Sequence, residues 1–138
     1  MNDKELADDI KKHEGFRDTV YLDTVGVATV GYGHALHEGS RIPHLVADLL
    51  FEQDFNDAKK DYEILANREG LCLTPLRKGV LINMLFNMGL RRVMGFKKML
   101  AALQADNWGE AATQMLDSKW AHQVGPRAKD LAEKMRRG

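Results

Sequence analysis

Residues Val80-Leu81-Ile82-Asn83-Met84-Leu85-Phe86-Asn87-Met88 are apolar nearly all the way round a helix. Thr74 and Pro75 open that helix, as N-cap and first helical residue, and Gly89 closes it. A helix with so little polar surface belongs in an interior. The remaining elements must therefore be arranged around it. A chain of 138 residues is long enough to do this without covalent staples. Asn83 and Asn87 sit about one turn apart on one face, and each needs a hydrogen-bond partner if buried.

The rest of the chain supplies the cover, mostly as helix. Residues 3–13 read as a short amphipathic helix capped by Asn2 or Asp3, with Leu6, Ile10 and His13 on one face. Pro43 opens a helix of about 20 residues whose apolar stripe is Phe51, Phe55, Ala58, Tyr62 and Leu65. Residues 91–105 give one or two helices broken at Gly95, with Val93, Phe96, Met99, Leu100 and Leu103 inside. Asn107, with Glu110 three residues on, is a near capping box. Ser118 caps a short helix, and Gly125-Pro126 starts a basic one that runs to 137. Trp108 and Trp120 are expected in the core.

One stretch breaks the helical pattern. Between residues 16 and 36, Val, Tyr and Thr accumulate, and Gly26, Gly31 and Gly33 punctuate the run. This predicts short antiparallel strands at about 19–22, 27–31 and 33–36, the first two joined by Asp23-Thr24-Val25-Gly26. Residues 37–42 read as a loop. The expected class is α+β, mostly α, with a small N-terminal β lobe at about 15–42. A long helix, about 43–68, joins it to a helical lobe made of 1–13 and about 70–138, all within a single domain.

Several functions are argued against at once. Twenty basic and twenty acidic residues cancel, which speaks against a nucleic-acid-binding domain, although residues 127–137 are locally basic. A single cysteine, Cys72, excludes an intrachain disulfide and a multi-thiolate zinc site, and it reads as a buried apolar residue. No segment has the roughly 20 apolar residues of a membrane span. The charged first residues lack the apolar core of a secretory signal. His13, His34, His37, His44 and His122 show no metal-binding spacing, and Gly31-Tyr32-Gly33 is too short for a dinucleotide fingerprint. No cofactor is expected.

The β stretch also holds the chemistry. Glu14 ends the first helix and Asp23 lies in the turn after the first strand, nine positions on. Glycoside hydrolysis needs two carboxyls in unlike settings, one protonated toward the leaving oxygen and one ionised. A helix C-terminus disfavours a second negative charge, while an open turn beside hydroxyls does not. On spacing alone both could be ordinary surface acids, common in turns. Thr29, on a strand, could share a water with Asp23 or be simply a good strand former.

Taken together, Glu14, Asp23, Thr29 and Gly31-Tyr32-Gly33-His34 resemble the phage-type lysozyme family, glycoside hydrolase family 24. That family's catalytic segment reads Glu, eight residues, Asp, five residues, Thr, then Gly-x-Gly-His. The similarity continues through Leu81–Gly89, Gly95-Phe96, Trp108 with Glu110-Ala111-Ala112, Ser118-Lys119-Trp120 and Arg127-Ala128-Lys129. It implies a lysozyme-like fold and hydrolysis of the β-1,4 bond between N-acetylmuramic acid and N-acetylglucosamine. Glu14 would be the general acid, and Asp23 and Thr29 would activate the water. Phe86, Asn87 and Arg127 match substrate-binding positions. Arg127 also matches an arginine that pairs with the catalytic glutamate, and Asn87 stands where the family's type member has glutamine.

The resemblance further implies an endolysin acting as a monomer on peptidoglycan strands, with neither nucleic acid nor membrane insertion. It would be made in the bacterial cytoplasm and released to the periplasm by a holin. A lytic transglycosylase, or a non-catalytic wall-binding module on the same fold, are the alternatives. Retention of Asp23 and Thr29 speaks against both. The segment after His34 is shorter than in the type member.

Overall fold

The computed structural model describes residues 2–138. The chain divides into two compact units, Met1–Val46 and Ala47–Gly138.

In the first unit α1 (Asp3–Glu14) begins with a full capping box. Asn2 Oδ1 accepts from the Glu5 N–H, and the Glu5 carboxylate accepts from the Asn2 N–H, each at 2.9 Å. The helix ends at Gly15, whose φ of 73° is a backbone state that side chains resist. Three antiparallel strands follow in the order β1 (Arg17–Leu22), β2 (Ala28–Gly31) and β3 (His34–Ala35). Tyr21 faces Thr29, and Leu22 faces Ala28; the β1–β2 register is irregular between Arg17 and Tyr21. Thr29 and Val30 of β2 in turn pair with Ala35 and His34.

The second unit is helical. The long α2 (His44–Glu69) starts just before the unit does. It is followed by α3 (Pro75–Met88), α4 (Leu90–Met94), α5 (Lys97–Gln104), α6 (Trp108–Leu116), α7 (Lys119–Val124) and α8 (Pro126–Arg137). Thr74, Asn107 and Ser118 cap α3, α6 and α7, as their sequence positions predict. The core centres on α3, whose Val80, Leu81, Met84 and Leu85 are buried with Leu65, Val93, Met99, Leu103, Met115 and Met135. Each such side chain contributes about 1.5–3 kcal/mol through loss of apolar surface to water. Alanines at 111, 112, 128 and 132 lie buried on α6 and α8, and small side chains let two backbones approach closely.

Three expectations need correction. Cys72 is exposed, not buried. It lies in the extended linker between α2 and α3, where side chains alternate; Leu71 and Leu73 on either side pack against the core, so Cys72 turns outward. The α2 stripe is buried only from Ala58 onward. Phe51 and Phe55 are 54% and 39% exposed, their rings packed on each other at 5.7 Å. Glu110 does not complete a capping box, because its carboxylate accepts from Gln114 Nε2 at 2.7 Å instead.

Arg77 was not anticipated by any periodicity. It is 7% exposed in the first turn of α3. Nε donates to the Met135 carbonyl at 2.7 Å and Nη2 to the Arg136 carbonyl at 3.1 Å. Its guanidinium also lies 3.9 Å from the Trp108 ring centroid. One cation thus satisfies unpaired carbonyls at the end of α8 and covers the start of α6.

Candidate active site

The acidic site is built by the first unit alone. Asp23 closes the β1–β2 turn with both backbone and side chain. Its N–H donates to the Val27 carbonyl at 2.9 Å, and its carbonyl accepts from the Gly26 N–H at 3.1 Å. Its Oδ1 accepts from the N–H groups of Val25 and Val27, at 2.9 and 2.8 Å. Gly26 supplies the positive φ, 85°, that so tight a turn needs. Two N–H donors on one oxygen hold the carboxylate in a single orientation. Among the described residues Oδ2 has no hydrogen-bond partner, and the side chain is exposed.

Thr29 joins this arrangement through the same residue, Val27. It is 4% exposed, and its hydroxyl donates to the Val27 carbonyl at 2.8 Å. Val27 therefore gives its N–H to Asp23 and takes a hydrogen bond from Thr29. The hydroxyl proton is committed, so Thr29 can meet a further polar group as an acceptor.

Glu14 is the last residue of α1 and is exposed. Its carboxylate lies against the backbone of Gly33. A Cβ built on Gly33 would stand 2.7 Å from Glu14 Oε2 and 3.2 Å from its Cδ. Gly33 also has a φ of +83°. The glycine thus serves two ends, a left-handed turn and a close approach by a carboxylate. Beside it the Tyr32 ring packs on Phe16 at 5.3 Å, with Lys11 Nζ 5.3 Å from its centroid. These contacts fasten the end of α1 to the turn between β2 and β3. His34 lies in β3, exposed and paired with Val30 across the ladder.

The second unit contains an open apolar groove of about 400 Å³ lined by Phe51, Phe55, Gly79, Ile82, Asn83, Phe86 and Arg127. Phe86 packs on Phe51 at 5.4 Å between ring centroids. Arg127 sits in the first turn of α8, where the helix dipole disfavours a cation. Asn83 supplies the compensation: its Oδ1 accepts from Arg127 Nε at 3.0 Å and from Nη2 at 2.7 Å. Of the three sequence-predicted binding residues, Phe86 and Arg127 line this groove. Asn87 does not; its Oδ1 accepts from Trp120 Nε1 at 2.7 Å. Phe51, Phe55 and Asn83 are groove residues that periodicity assigned to the interior.

Among the described residues no group of three or more His, Cys, Asp or Glu side chains could hold a metal ion. No described helix is long and apolar enough to cross a membrane.

A family profile described as phage lysozyme matches residues 11–137. Two Dictyostelium discoideum proteins named probable T4-type lysozyme 1 and 2 are 30% and 29% identical, over 89% of this chain and 88% of theirs. The pre-baseplate central spike protein Gp5 of Enterobacteria phage T4 is 28% identical over 89% of this chain and 26% of its own length.

Proposed function

Since the chain belongs to the phage lysozyme family, and is a glycosidase of the lysozyme type, we propose that Glu14 and Asp23 divide the work of hydrolysis. The substrate is the β-1,4 bond between N-acetylmuramic acid and N-acetylglucosamine in peptidoglycan. Glu14, protonated, gives its proton to the glycosidic oxygen as the bond to the anomeric carbon breaks. A water attacks that carbon from the opposite face, and Asp23 takes its proton. Thr29, its own proton held by Val27, accepts the water's second hydrogen bond and so orients it. One water is consumed, a reducing end is formed, and the configuration inverts. Phe86 and Arg127, which line the aromatic groove, bind sugar units of the glycan.

The observation that carries this reading is the Asp23–Val27–Thr29 network, which orients one carboxylate oxygen and one hydroxyl through the N–H and the carbonyl of a single residue. A turn acid retained only for solubility has no need of it. We further infer a monomeric endolysin, made in the bacterial cytoplasm and reaching the periplasmic wall through a holin.

The test is clearance of outer-membrane-permeabilised cells by wild type, Glu14→Gln and Asp23→Asn. Both variants should lose at least about a hundredfold in rate. A Glu14→Gln protein as fast as wild type would remove the role of Glu14. Products ending in anhydro sugars would make the enzyme a lytic transglycosylase.

A further inference from the structure

Gly79 is the fifth residue of α3 and is exposed. Glycine is among the poorest residues inside a helix, because it gives up the most backbone freedom there. Nothing in the fold asks for it at this position. Its backbone is helical, so no left-handed turn is served, and a Cβ built on it would meet nothing within 4 Å. Alanine would fit and would hold the helix more firmly.

The space left by this missing side chain belongs to the aromatic groove. Gly79, Ile82, Asn83 and Phe86 have the spacing of one helix face, and all four line the groove. Phe51 and Phe55, one turn apart on α2, add a second wall. Three of the four α3 positions carry side chains, and the fourth leaves a notch that reaches the backbone. No carboxylate lines the groove, and its one charge is that of Arg127, bound to Asn83. The notch therefore suits a small, uncharged, apolar group. An ammonium would find no counter-charge there and would be repelled by Arg127.

Resting on the peptidoglycan reading above, we propose that Gly79 is a specificity-determining residue whose notch receives the methyl end of an N-acyl group on a sugar unit. The hydroxyls that project from such a unit are polar. The N-acyl methyl is apolar and neutral, and it is common to both sugars of the polymer. Bare helix backbone lets that methyl stand where a side-chain carbon would otherwise be. Having no side chain, Gly79 takes no part in proton transfer; it acts on which glycan the groove holds. The chain gives up helix stability for this room.

The experiment measures, by calorimetric titration, the affinity of full-length Glu14→Gln protein for a soluble glycan of alternating N-acetylmuramic acid and N-acetylglucosamine. The same glycan with N-formyl in place of N-acetyl groups is titrated beside it. A second protein adds Gly79→Ala. The added carbon should weaken binding of the acetylated glycan about tenfold, as one carbon too many does in a filled apolar pocket. The formylated glycan, shorter by that carbon, should bind the two proteins within about twofold of each other. The melting temperature should rise by about 2–4 °C. Gly109→Ala is the control. Gly109 is an exposed glycine of α6 with nothing within 4 Å of its built Cβ, and it does not line the groove. Its replacement should leave both affinities unchanged.

Equal affinity of the two proteins for the acetylated glycan overturns the proposal. Equal weakening on both glycans also overturns it, because another part of the sugar would then face Gly79. A lowered melting temperature does the same, since the glycine would then serve the fold. Hydrolysis is measured separately, with Gly79→Ala in the wild-type background. KM for the acetylated glycan should rise about tenfold with kcat within about twofold. A fall in kcat with KM unchanged overturns the proposal. Acyl-dependent binding by a protein that cleaves no glycan would sink the enzymatic reading and leave the notch standing. Cleavage without that dependence would do the reverse.

Discussion

Replacing Gly33 by alanine separates stability from chemistry at one atom. The added Cβ would stand 2.7 Å from Glu14 Oε2, where carbon and oxygen normally keep well above 3 Å. The obstacle is the free end of a flexible side chain, so relief is cheap for the fold: the carboxylate moves away by about 0.5–1 Å. The backbone cost is that of a side chain at φ +83°, about 1–2 kcal/mol. For a domain of this length that lowers the melting temperature by about 3–8 °C. A catalytic group displaced by about 1 Å, however, costs about a hundredfold in rate. Gly31→Ala is the control. Gly31 has a φ of +69° but nothing within 4 Å of the built Cβ, so it carries similar strain without the collision. Thermal melts followed by circular dichroism, with clearance of permeabilised cells at 25 °C, give both quantities. Similar melting losses with a rate loss confined to Gly33→Ala are expected. A Gly33→Ala protein that clears cells at the wild-type rate would refute the reasoning. So would equal rate losses in the two variants, which would make strain, not contact, the cause.

Other substitutions probe the second unit. Arg77→Lys keeps the charge but loses the planar fork that reaches two carbonyls and the Trp108 face; unfolding experiments in urea should show a loss of about 2–3 kcal/mol. A loss under about 0.5 kcal/mol would mean that the contacts are replaceable. Asn83→Ala removes the acceptor that fixes Arg127, and steady-state kinetics on a soluble glycan should show KM raised about fivefold with kcat little changed. A fall in kcat alone would place Arg127 in the chemical step instead. The Tyr62 phenol titrates above its ordinary 10.0 because it is buried, with Glu63 and Cys72 adding repulsion. The folded form then holds this proton more tightly than the unfolded form. Its contribution is present in full below about pH 10 and is lost as pH rises from there through the folded pKa. Melting temperatures of wild type should therefore fall more steeply than those of Tyr62→Phe above about pH 10, and parallel curves would rule the effect out.

What could be read in the sequence was local. Asn2, Thr74, Asn107 and Ser118 cap helices because a short polar side chain needs only the next three residues to do so. The Asp23 turn is likewise set by the five residues from 23 to 27. Arg77 lies at the other extreme: its partners are 58 and 59 residues away, and nothing near it in sequence marks it for burial. Phe51 and Phe55 carry the spacing of a buried stripe, but spacing gives the face and not whether that face is covered. Asn83 and Asn87 share a face, yet one serves Arg127 and the other Trp120, because the choice depends on which later helix arrives beside each.

The hydrogen bonds that unite Asp23 with Thr29 all close within seven consecutive residues. A site made that way is inherited as a block. A recombination event at any point outside the hairpin transfers it whole, and mutations elsewhere in the chain cannot disarrange it piecemeal. The aromatic groove draws instead on positions from Phe51 to Arg127, each exposed to separate substitution. Over evolutionary time, the choice of glycan should drift readily among such proteins while the means of handling water stays fixed.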